Sequence, residues 1–181
     1  MKNALLLCAV ALLSTTISAQ LQLSTPEPGE FYTQSVGAYL TVEDDAGTTG
    51  QAWDFSGTTV LQSSSAEFVS VDSTTFGKSF ANAEIAIEVG NVNLYYAYDG
   101  AYQYFGGVEN ELIVAYTDTE EYFPLPFNVE DSWEDTFAST FGAAGITFER
   151  TGTVSTSCTA QGSLTLPGGQ VLEDAYRISV N

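Results

Sequence analysis

A chain of 181 residues with 23 acidic side chains, four basic ones and no histidine is too acidic to hold a nucleic-acid backbone or an anionic lipid surface, because both are bound through Lys and Arg contacts to phosphate. The missing imidazole removes Ser-His-Asp and Cys-His catalysis, histidine-ligated zinc and every reaction that needs histidine as base. A hydrophobic fraction of 44% and an aromatic fraction of 13% set the chain apart from acidic disordered tails and allow a sizeable core.

Residues 1–19 read as a secretory signal peptide. Lys2 gives the positive start, Leu5 to Leu13 the apolar run, and Ser14 to Ala19 a small, polar end with a cleavage point before Gln20. The run is about half of the ~20 residues that a membrane span needs. Cys8 leaves with this segment, and Leu7 before it is too large for a lipoprotein cleavage site. The expected mature part, 20–181, is a single β-rich domain with 23 acidic residues against Lys78, Arg150 and Arg177, a formal charge of −20. Solubility explains such acidity; divalent cations or a cationic partner are the other readings. Cys158 is then the one remaining cysteine, in the strand-like Val154 to Cys158, and without histidine to activate it the thiol reads as structural.

Gln22 to Gly29, with Pro26 and Pro28, predicts an extended lead-in. Strands are expected at Val36 to Val42, Glu67 to Val71, Glu84 to Val89 and Val92 to Tyr98. Between Glu84 and Val89 the two isoleucines and Val89 share one face, and Glu84, Ala86 and Glu88 the other. Asp99-Gly100 separates Leu94 to Tyr98 from Ala101 to Phe105, a strong signal for a two-residue hairpin turn. That register sets Tyr98 opposite Ala101, Tyr96 opposite Gln103 and Tyr95 opposite Tyr104. Later strands are expected at Glu111 to Thr117, Trp133 to Phe141, Ile146 to Ser157, Ser163 to Leu166 and Val171 to Val180. Pro124 and Pro126 mark a loop between two halves of the domain, and Pro167-Gly168-Gly169 a turn. Only Thr75 to Asn82 offers a short helix. Short strands joined by Gly, Asp and Ser turns predict an all-β, antiparallel β-sandwich with very little helix, a β-barrel being the alternative.

Four segments carry a resemblance: Gly50 to Ser56 (GQAWDFS), Phe80 to Ala83 (FANA), Pro124 to Phe127 with Asp131 to Phe137 (PLPF…DSWEDTF), and Gly152 to Val154 leading into Gly162 to Gly169. In this order they resemble the N-terminal β-rich domain of bacterial proteins exported by the type IX secretion system, which usually carry a separate C-terminal sorting domain. The resemblance implies secretion or cell-surface display and brings no catalytic residue. A sorting domain would need further strands and a basic C-terminal end. The chain stops at Asn181 in a strand-like run, so either the sequence is truncated or the protein lacks that address.

Three chemistries are open to the residues present. Tyr95, Tyr96, Tyr98, Tyr102 and Tyr104, with Phe105, crowd one hairpin and offer a carbohydrate-binding surface; strand packing is the simpler account of these tyrosines, and with tyrosines on both hairpin faces at least one face must be covered. Glu43-Asp44-Asp45, Glu120-Glu121 and Glu130-Asp131 with Glu134-Asp135 offer oxygen ligands for structural calcium, although no EF-hand loop is present. Glycoside hydrolysis by two carboxylates needs no histidine, but Glu84 and Glu88 stand roughly 13 Å apart on an extended strand, too far for either mechanism. Glu109 with Glu111 is nearer, at about 7 Å, and Asp131 with Asp135 repeats the long spacing. The expectation is an exported, non-catalytic interaction or structural module without cofactor, its partner a glycan or a surface protein. A carbohydrate-binding module is the alternative, ahead of a hydrolase.

Overall fold

The computed structural model describes residues 20–38 and 47–181. The expected signal peptide, the latter part of the Val36 to Val42 strand and the Glu43-Asp44-Asp45 cluster lie outside them.

Among the described residues twelve strands follow one another: β1 Gln20–Leu21, β2 Phe31–Gly37, β3 Gln51–Asp54, β4 Val60–Val69, β5 Ile85–Val89, β6 Val92–Ala97, β7 Ala101–Glu109, β8 Leu112–Pro124, β9 Phe127–Asn128, β10 Ser132–Ala143, β11 Ile146–Thr165 and β12 Val171–Val180. The helical content of the described residues is two 3₁₀ turns, Val71–Ser73 and Gly77–Phe80. The second occupies the place of the short helix expected at Thr75 to Asn82. Ser73 Oγ and Thr74 Oγ1 donate to the carbonyls of Ser70 and Val71, local bonds that favour tight turns over a regular helix.

The architecture is all-β, a sandwich and not a closed barrel. Ten strands form one large sheet in the order β12-β11-β10-β8-β7-β6-β5-β4-β2, with β3 attached to β11, while β1 and β9 form a two-stranded sheet. From β4 to β8 and from β10 to β12 each strand pairs antiparallel with its neighbour in sequence. The exception in direction is β3, parallel to residues 162–165 of β11. It can lie there because residue 162 is glycine, where a Cβ would strike the Gln51 backbone. Ile146 to Ser157 and Ser163 to Leu166, expected as two strands, are one continuous β11, and β12 returns after a turn with Gly168 and Gly169 at positive φ.

Two cores result. In one, Val71 and Phe80 from the 3₁₀ segment cover Ala86, Tyr95 and Val108. Ala86 is therefore fully buried, while Glu84 and Glu88, expected to share its face, reach water. The other core joins Phe123, Phe127 and Cys158 to Leu21, Leu23, Trp133 and Ile178. The Cys158 thiol is buried there, and loss of solvent raises its pKa. Trp53 is buried, and Asp54 turns outward to accept from the Ser56 amide at 2.8 Å. The lead-in ties the layers together through Leu21, Leu23 and a hydrogen bond from the Gly29 amide to the Phe68 carbonyl.

Candidate tyrosine face

The Asp99-Gly100 hairpin forms, but its register is one residue longer than the two-residue turn predicts. Tyr96 lies opposite Tyr104 and Ala97 opposite Gln103, with Gly100 at φ 75°. Because strand side chains alternate with period two, one step of register changes which residues share a face. Tyr96, Tyr98, Tyr102 and Tyr104 now stand together on one side of the sheet, and the expected Tyr95–Tyr104 and Tyr96–Gln103 pairs do not form.

A bulge ends this arrangement. Tyr95 pairs with Gly106, so Phe105 is the extra residue on β7. Gly106 holds φ 119°, where a Cβ would collide with the Val114 carbonyl. Tyr95 points the other way. It is fully buried, stacked on Phe80 at 3.8 Å and 7°, with its hydroxyl 2.9 Å from Thr74 Oγ1. Tyr95 therefore leaves the candidate surface and belongs to the core.

On the open face the rings form a ladder. Tyr102 stacks between Tyr98 at 5.2 Å and Tyr96 at 5.5 Å, Tyr96 meets Tyr104 at 5.1 Å, and Tyr104 meets Tyr116 edge-on at 5.4 Å. Tyr116 leads to Phe137 at 5.7 Å, and Tyr122 joins at Tyr102 at 5.1 Å. The Arg150 guanidinium closes the far end, 5.0 Å from the Phe137 ring centre and 5.6 Å from that of Tyr116. Every ring of the ladder is half-buried, so each keeps part of its surface in water. Beside Leu94, Tyr104, Tyr116 and Arg150 the face dips into a shallow cleft of about 200 Å³.

Electrostatics follow the packing. Burial raises the phenols of Tyr96, Tyr98 and Tyr122, and neighbouring phenols add to the effect. Tyr104 is pushed up to about 12, mainly by burial, with Arg150 pulling the other way. Burial also raises the Glu120 carboxyl, opposed by Arg150 and by the Tyr116 hydroxyl.

Tyr116, Tyr122, Phe137 and Arg150 escaped sequence reasoning because β8, β10 and β11 bring them in from outside the hairpin. One signal was available: Arg150 is one of three basic residues after position 19, and it sits where aromatic rings collect.

Three of the candidate acids hold backbone and side-chain donors away from the ladder rings. Glu84 accepts from the Tyr98 amide at 2.9 Å and from Thr25 Oγ1 at 2.6 Å. Asp131 accepts from the amide and side chain of Asn128, and Asp135 from the Glu121 amide. Among the described residues no three Asp, Glu or Cys side chains come together as a metal-binding group. A larger cleft of about 650 Å³ opens between Val60 and Thr33 on one side and Phe55, Leu164 and Leu166 on the other, with no titratable side chain in its wall.

No family model matches the chain, and no curated protein or solved structure shows significant similarity to it. No helix among the described residues is long and apolar enough to cross a membrane.

Proposed function

We propose that this chain is an exported, non-catalytic interaction module whose contact surface is the tyrosine ladder, and that its ligand is a neutral polysaccharide. The observation that carries this reading is the gathering of Tyr96, Tyr98, Tyr102 and Tyr104 on one half-exposed face, continued by Tyr116 and Phe137. Partly wet rings offer apolar surface for the C–H faces of sugars, and phenol hydroxyls donate to and accept from sugar hydroxyls. The ring-to-ring spacing of 5.1–5.7 Å is close to the length of one pyranose unit along a chain.

Charge narrows the ligand. A surface this acidic repels uronic acids and sulfated sugars, although Arg150 sits at the ladder's end. Export rests on the sequence of residues 1–19, and the type IX route on the resemblance of residues 50–180.

A glycan array decides the matter. The native chain is expected to bind neutral polysaccharides and to ignore sulfated ones, and a Tyr98→Ala/Tyr104→Ala pair to lose at least about tenfold in affinity, or ~1.4 kcal/mol. No binding by the native chain ends the carbohydrate reading. Reproducible turnover of a glycan, ester or peptide, lost on removal of one carboxylate, ends the non-catalytic one.

A further inference from the structure

The second notable surface is the outer edge of β2, whose Tyr32 lies near Tyr98 and Tyr102 of the ladder. β2 is the last strand on its side of the large sheet, and all seven of its residues are exposed. Its inner edge pairs with β4 from Phe31 opposite Glu67 to Gly37 opposite Val60, while its outer edge has no partner among the described residues. Natural sheets protect such edges with charge or proline, and Phe31 to Gly37 contains neither. Phe31 is 75% exposed, Val36 55% and Leu61, on the neighbouring strand, 67%. In a chain this acidic, neither 31–38 nor 55–66 holds a single charged residue.

We propose that β2 is a self-association edge, on which a second copy of this chain lays its own β2 antiparallel about a two-fold axis at Gln34. Two copies of like charge repel everywhere except through neutral surface, and this wing is neutral. The sequence of β2 is also complementary to itself in that register. Gln34 meets Gln34, Tyr32 meets Val36, Thr33 meets Ser35 and Phe31 meets Gly37 of the opposite copy. Aromatic with β-branched and hydroxyl with hydroxyl are favourable cross-strand pairs, and an aromatic ring laid over an edge glycine covers backbone left bare. A closed two-fold contact of this kind ends at a dimer, since among the described residues the other edge strand of the sheet, β12, carries Glu173, Asp174 and Arg177.

The test is the mass of the purified chain in solution over a dilution series from about 100 µM, where a Kd near 1 µM leaves little monomer, down to about 1 µM, where a fivefold change in Kd shifts the monomer fraction. The native chain is expected to be a dimer. Gln34→Glu and Gln34→Lys each place like charges across the axis and are expected to weaken it by about fivefold or more, whereas the two variants mixed restore it. Gln34→Cys gives an independent reading that leaves the fold alone. Residues facing across an antiparallel pair have Cα atoms about 4.5–5.5 Å apart, within disulfide range, so a dimer cross-linked at position 34 should form in air. A monomeric native chain, a dimer indifferent to both charges, or a Gln34→Cys chain that stays uncross-linked would each overturn the proposal.

Discussion

Tyr95 and Tyr96 are neighbours in sequence and opposites in circumstance. Tyr95 is sealed between the sheet and the 3₁₀ segment, flat against Phe80 with its hydroxyl bound to Thr74. Tyr96 stands half in water within a row of its own kind. The backbone treats them alike, and what separates them is the cover on each side of the sheet. A tyrosine count along a strand therefore says little about binding until the covered face is known.

Removing the sealed ring is the harshest way to break this contrast. Tyr95→Ala leaves a cavity in the first core and is expected to cost about 4 kcal/mol, the range of large aromatic truncations, read as a fall in the denaturation midpoint. Gly106→Ala comes next, at about 3 kcal/mol, because it forces a side chain into positive φ and against the Val114 carbonyl. It should also disorder the ladder, since that bulge sets the faces. Tyr102→Ala, in the middle of the ladder but half-exposed, is expected to cost about 2 kcal/mol and to abolish the glycan binding proposed above. Tyr95→Phe removes a hydroxyl alone and should cost about 1 kcal/mol while leaving binding intact.

Alkali sharpens the same comparison. Phenols raised in the folded state, such as Tyr104 from 10.0 to about 12, favour the native chain while they stay protonated. The unfolded chain loses those protons first, so stability is fully present below pH 10 and drains away as pH rises through about 12. Melting midpoints should fall over that window. Tyr102→Ala should narrow the fall, because it opens the ladder to water.

Much of the fold was legible because hydrophobic period and turn residues speak locally. The strands at Glu84 to Val89 and Val171 to Val180 and the Pro167-Gly168-Gly169 turn follow from neighbours in sequence. The hairpin register did not, because Asp-Gly fits loops of two residues and of three, and the Phe105 bulge depends on the contact between Gly106 and Val114. The site was legible in its tyrosines and wrong in its grouping. Tyr95 was counted in, while Tyr116 and Arg150, brought by β8 and β11, were left out. The tie between β3 and β11 joins residues more than a hundred positions apart, beyond the reach of any local pattern.

The central claim is that the ladder face meets the ligand and the Tyr95 face does not. Tyrosine-labelled protein titrated with a neutral polysaccharide and followed by NMR ring signals tests it directly. Signals from Tyr98, Tyr102, Tyr104 and Tyr116 should shift together while Tyr95 stays still. Shifts centred on Tyr95, or none at the ladder while the ligand binds elsewhere, would contradict the account.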